Sequence, residues 1–189
     1  LALSEAVDGA GSDYKSVFAV ILGTGVGAGF SYDKKIIVGP NKLTGEWGQN
    51  PIPGPMDDYE KSVKRHCGRI GAIEVFLSGP GLENYYKFIS GSKKSSREIV
   101  SLYKENDSFA NEVMDIYFER IARSFSTFVN ILDPDIIVCG GGMSEIDDIY
   151  SEVPKRIIPY IASNYFLTPI VKAFHGSTSG VRGAAHLWD

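Results

Sequence analysis

Only two of the 189 residues are cysteine, Cys67 and Cys139. That is too few for the disulfide framework of a small secreted fold, and a reduced, cytoplasmic setting is the default expectation. No apolar run reaches the ~20 residues needed to cross a bilayer, and no signal-peptide pattern is present, so no membrane partner is expected. Excess positive charge is missing as well. Nineteen Lys and Arg face twenty-three Asp and Glu, a net charge of −4 with a pI near 5.4. That balance excludes broad attraction to nucleic acid or to an anionic membrane surface. Internal repeats, low-complexity tracts and domain linkers are lacking, so one domain over residues 1–189 is expected. Finally, the chain opens without methionine. Leu1-Ala2-Leu3-Ser4-Glu5-Ala6 reads as the tail of a helix stopped near Gly9 and Gly11, as expected of a piece of a longer protein.

What is present is a globular composition, with 43% hydrophobic and 22% charged residues. Ser16–Leu22 is a β-branched and aromatic run, which predicts a buried strand. Short runs at Ala28–Tyr32 and Lys35–Val38 flank Asp33-Lys34 and predict a hairpin. Residues 39–66, rich in glycine, proline and polar side chains, predict a long ordered loop, a kind of segment that tends to carry function. Helices are predicted at Ala72–Leu77 and Leu82–Ile89, broken by Gly79-Pro80-Gly81, and at Ser95–Tyr103 with Ser95 or Ser96 as N-cap. From Asp107 to Leu132, the residues Val113, Ile116, Tyr117, Ile121, Phe125, Phe128 and Leu132 recur at helical spacing. Asp135–Cys139 then predicts a buried strand, Ile146–Ile161 a helix disturbed at Pro154, Pro169–Phe174 a last strand and Val181–Trp188 a last helix. Strands alternating with helices point to an α/β fold.

Three motifs are able to carry chemistry. Gly23-Thr24-Gly25-Val26-Gly27-Ala28 matches a dinucleotide fingerprint, with Glu46 at the distance of a ribose-binding acid. That reading requires a helix directly after the glycines, and the hairpin-like Phe30–Lys35 stands there instead. A strand–turn–strand that offers backbone N–H groups to phosphates fits better. Asp133–Gly142 is a strand ending on Gly140-Gly141-Gly142, where a ligand can approach bare backbone. Two such glycine turns favour a nucleotide between them. The third motif pairs Gly45-Glu46-Trp47-Gly48-Gln49 with Arg65–Glu74. On composition alone, its two carboxylates would be solvated surface groups.

Taken together, these segments resemble the ROK family (repressors, open reading frames, kinases). Gly23–Gly27 resembles the family's second phosphate loop. Gly45–Gln49 resembles its Gly-Glu-x-Gly-His, with Gln49 in the histidine place, and Arg65–Glu74 its Cys-x-Cys-Gly-x-x-Gly-Cys-x-Glu. Leu77–Gly81, Asp133–Gly142 and Ser179–Ala185 continue the likeness in the family's order, and the Pro40–Gly48 stretch looks most like proteobacterial fructokinases or mannokinases. The resemblance implies the C-terminal lobe of a two-lobed kinase of the ribonuclease-H-like, actin-like ATPase type, with the N-terminal lobe and the catalytic aspartate upstream of Leu1.

By the same resemblance, the intact protein would phosphorylate a hexose, fructose first among them, with ATP and Mg2+, and would form a homodimer. Gly23, Thr24, Gly25, Val26 and Gly27 would hold phosphates, and Gly140, Gly141 and Gly142 would pack on the adenosine side. Glu46, Gln49 and Glu74 would take sugar hydroxyls. This chain alone is expected to be inactive. The family's structural zinc has its four ligand places filled here by Gln49, Arg65, Cys67 and Ala72, so no zinc is expected. A sugar-sensing repressor domain and a non-catalytic remnant of a split kinase gene are the alternative readings.

Overall fold

The computed structural model describes residues 1–186. Its centre is strand β1, Ser16–Leu22, whose side chains alternate between two covered faces. Strand β2, Val26–Tyr32, runs back antiparallel to it, with Leu22 opposite Val26 and Ser16 opposite Tyr32. Strand β3, Lys35–Ile36, adds an edge through a two-residue turn in which Asp33 and Lys34 both have positive φ, the conformation a tight hairpin demands. Strands β4, Ile136–Gly140, and β5, Ile170–Lys172, extend the other side in parallel, giving the order β3-β2-β1-β4-β5.

Among the described residues the helices are α1 (Ala2–Asp8), α2 (Asp58–Ser62), α3 (Glu74–Leu77), α4 (Gly79–Ser90), α5 (Ser96–Lys104), α6 (Ser108–Leu132), α7 (Ile149–Arg156) and α8 (Ser179–Ala185). On one face of the sheet α1 lays Ala2 and Ala6 against Val17, Ala19, Ile136, Val138 and Ala173, a thin layer of small side chains. The opposite face is thick and aromatic. There Phe18, Val20 and Leu22 meet α6, with Phe18 and Phe128 stacked at 3.9 Å and Trp47 edge-on to both Phe125 and Phe128. Helix α6 starts where the Asp107 carboxylate accepts the Ala110 N–H, and ends at Asp133 in the left-handed region just before Pro134.

Five sequence expectations change. Gly79-Pro80-Gly81 does not break a helix but begins α4. The Ser78 hydroxyl caps it by accepting the Gly81 N–H, and proline is tolerated in a first turn, where its missing donor has no helical partner anyway. A side chain at Gly81 would also meet the Val75 carbonyl at 2.5 Å. The long loop is partly regular, with a 3-10 turn at Glu46–Gln49 and α2 within it. The predicted Ile146–Ile161 helix shrinks to α7, which runs through Pro154, and the last strand shrinks to β5. The last helix starts earlier than predicted, at Ser179, and Leu187 and Trp188 of that prediction lie outside the described residues.

Two buried carboxylates fasten the periphery to this body. Glu5 of α1 accepts the N–H groups of Ala10, Phe174 and His175 and the Ser179 hydroxyl. Glu60 of α2 accepts from Arg120 and Arg123 of α6. Arg123 also donates to the carbonyls of Pro53 and Pro55, and Arg120 lies 4.1 Å from the Tyr85 ring centroid.

Candidate functional site

The two glycine turns converge. Gly23 and Thr24, at the end of β1, and Gly142, just past β4, line one crevice of about 620 Å³. The parallel pairing of β1 with β4 brings their ends together, and the Gly79 N–H donates to the Gly23 carbonyl at 2.8 Å, so the start of α4 forms a third wall. Gly141 has φ +90°, and a side chain there would lie 2.4 Å from the Leu22 carbonyl. Gly142, by contrast, has nothing within 4 Å of where a Cβ would stand, so its bare backbone faces open space. Gly140 and Gly141 line an adjoining recess of about 250 Å³ that shares Gly142 and reaches Lys172.

The amides of the first turn are unequally available. Gly23 N–H donates within the turn to the Gly25 carbonyl, and Val26 N–H donates to Glu74 Oε2 at 3.2 Å. Thr24 and Gly25 N–H find no acceptor among the described residues. Gly27 is paired opposite Ile21 in the β1–β2 ladder, with nothing near its would-be Cβ.

The three polar residues predicted for sugar binding sit on neighbouring surfaces. Glu74, at the start of α3, opens onto a recess of about 200 Å³ shared with Thr24, Lys64, Arg65 and His66. Its second oxygen accepts from Arg65 Nε at 3.0 Å. Glu46 and Gln49 open instead onto a larger, mainly apolar hollow with Phe30, Phe128 and Ile131. Short pairing of Pro51 with Ala72, together with the Ile73 N–H to Asn50 carbonyl bond, ties these two segments side by side. Gly45 and Gly48 let the Glu46 turn lie against β2, since side chains there would strike the carbonyls of Ala28 and Val26.

The residues present do not fit a tetrahedral zinc. Cys67 is exposed beside Arg65, Ala72 is buried and offers no donor, and among the described residues no group of three His, Cys, Asp or Glu could hold a metal ion. The Arg69 N–H and then the Arg65 guanidinium hold the Cys67 thiol below its ordinary pKa, whereas burial pushes Cys139 up to about 12.

Sequence reasoning missed much of the crevice wall, namely Glu83, Ser96, Arg97 and Met143. Arg97 is the basic side chain among the residues lining it, and Glu83 accepts the Ser96 N–H at the start of α5. The available signal was the Ser78–Gly81 capping pattern, which puts a helix start, and so an N-terminal dipole, at the crevice.

Residues 1–189 match the ROK family profile. An N-acetyl-D-glucosamine kinase from Vibrio atlanticus is 40% identical over 190 residues, covering 98% of this chain and 63% of that protein. The chain thus spans a little under two thirds of the relative it matches. A ROK family glucokinase from Streptomyces griseus, solved in complex with glucose and AMPPNP, superposes with a TM-score of 0.83 at 21% identity, over 98% of this chain and 64% of that one. A ROK family transcriptional regulator, a homologue of the E. coli MLC protein, superposes at 0.79 and 20% identity, over 97% and 48%. The fold is that of the actin-like ATPases, and among the described residues no helix is long and apolar enough to cross a membrane. With a family profile matched end to end, and a relative at 40% identity aligned over nearly the whole chain, this chain belongs to the ROK family.

Proposed function

We propose that this chain is the C-terminal lobe of an ATP-dependent hexose kinase and carries its nucleotide crevice and part of its sugar site. One observation carries the reading: two glycine turns, each exposing bare backbone, wall a common crevice large enough for a nucleotide, and Thr24 on that wall also borders the recess of Glu74. ATP would supply the transferred phosphoryl group, and magnesium bound with it would neutralise developing charge.

The free N–H groups of Thr24 and Gly25 bind phosphate oxygens, and Gly142 admits the nucleoside side because no Cβ blocks it. Arg97 offers a counter-charge at the same wall. Glu74 keeps lone pairs beyond those used by Val26 and Arg65, so it orients a sugar hydroxyl toward the turn, with Glu46 and Gln49 reaching others. The general base lies in the part of the protein outside this chain, so the chain alone does not turn over.

The identity of the 40% relative favours N-acetylglucosamine as the first hexose to test, with fructose second on the strength of the Pro40–Gly48 stretch. The test is a coupled phosphorylation assay on the whole protein with N-acetylglucosamine, fructose, mannose and glucose, beside AMPPNP titration by calorimetry. Saturable AMPPNP binding and turnover of at least one hexose are expected. Binding of a hexose with neither nucleotide binding nor turnover would shift the assignment to a sugar-sensing regulator, a role for which a ROK regulator of the same fold is a precedent.

A further inference from the structure

We propose that Arg65 is a positioning residue: its guanidinium locks the 64–71 loop to Glu74 and through Glu74 to the phosphate-side turn. The geometry is a three-part relay. Arg65 Nε donates to Glu74 Oε1 at 3.0 Å, and Glu74 Oε2 accepts the Val26 N–H at 3.2 Å. One carboxylate therefore bridges a surface loop and the end of the glycine turn. Both partners are largely shielded, with side-chain exposures of 18% and 23%, so the pair is worth more than a solvated one. Gly25 belongs to the same arrangement, because a Cβ there would stand 2.9 Å from Glu74 Oε2 and push the carboxylate off Val26.

The loop is closed by its own backbone. Arg65 N–H donates to the Arg69 carbonyl and Gly68 N–H to the Arg65 carbonyl, both at 2.8 Å, with Gly68 at φ +85°. Lys64 pairs with Ile70, and Gly71 N–H donates to the Val63 carbonyl. What this ladder cannot do is fix the loop to α3. The Arg65 side chain does that, and its charge is permanent at any working pH. A fixed, ion-paired Glu74 presents its remaining lone pairs in one direction, which is what orienting a hydroxyl requires.

The role assigned to Glu74 rests on the hexose kinase reading, but the lock itself does not, so the experiment has two arms. In the whole protein, Arg65→Ala and Arg65→Lys are compared with wild type by hydrogen exchange at the Val26 amide without ligand, and by steady-state kinetics. Arg65→Ala should speed Val26 exchange about tenfold and raise the hexose KM by a similar factor, as expected for one charge-assisted hydrogen bond. The ATP KM and kcat should stay near wild type, Arg65→Lys should restore most of the hexose KM, and a chelator should leave wild-type exchange unchanged. Unchanged Val26 exchange in Arg65→Ala, or chelation that frees Val26 in the wild type, would overturn the lock. Faster exchange with an unaltered hexose KM would overturn the positioning role. If no hexose is phosphorylated at all, the kinase reading falls, while the exchange arm still judges the lock.

Discussion

Glu5 and Glu60 are both almost fully buried, at 0% and 1% exposure, yet they are held in opposite ways. Glu5 is surrounded by neutral donors, three backbone N–H groups and one hydroxyl, and among the described residues no guanidinium contacts it. Glu60 is gripped by two guanidinium groups. The difference follows from what each anchored segment can offer. The 174–179 segment bends so that successive N–H groups aim at one point, and these suffice to solvate a carboxylate. The 51–55 stretch holds three prolines, which have no N–H to give. It presents carbonyls instead, so beside the Asp57 N–H the donors to Glu60 come from α6, where Arg123 serves Pro53, Pro55 and Glu60 together. Charge enters the core where the backbone runs out of donors.

This comparison fails if the two carboxylates prove interchangeable. The largest effect is expected for Glu60→Ala, which strands two buried guanidinium groups. Urea unfolding at neutral pH should show a loss of about 3–5 kcal/mol. Glu5→Gln should cost less, about 1–3 kcal/mol, because an amide NH2 then faces donors that need an acceptor. Its pH signature sharpens the contrast. Burial alone would raise the Glu5 pKa, but the bonds from Ala10, Ser179, Phe174 and His175 more than offset it and hold the pKa below the ordinary value. A carboxylate with a depressed folded pKa gives stability that is fully present above its unfolded pKa of ~4.3 and drains away as pH falls through the folded value. Wild type should therefore lose stability in that acid window, and Glu5→Gln should lose less there; parallel curves would count against Glu5 as the source. The smallest effect belongs to Asp57→Asn. Asp57 reaches Arg120 at 3.3 Å but is half exposed, and asparagine can still cap α2, so a change within about 1 kcal/mol is expected.

How much was legible in the sequence depended on whether the cause was local. The strand Ser16–Leu22 and the long helix α6 follow from β-branched runs and apolar spacing and stand where predicted, whereas the glycine-rich turn expected to continue past Gly25 is cut short because Val26 and Gly27 already pair in β2. That two glycine turns could flank one ligand was legible from their places at strand ends, but the parallel pairing that brings those ends together was not. Arg120 and Arg123 were not legible. Within α6 they look like solvated positions, and only partners some sixty residues earlier make them core residues. Glu74 was picked out by resemblance, but its hold on Val26 is a contact across 48 residues that no local pattern announces. Gly79-Pro80-Gly81 was misread because proline and glycine punctuate a helix at either end, and only the Ser78 cap decides which.

Thr24 belongs to two chambers at once, forming part of the partition between the crevice and the recess beside Glu74. Whatever fills one chamber leans on a partition that the occupant of the other also touches. Should occupying one chamber alter affinity in the other, reciprocity requires that the same factor be returned in full.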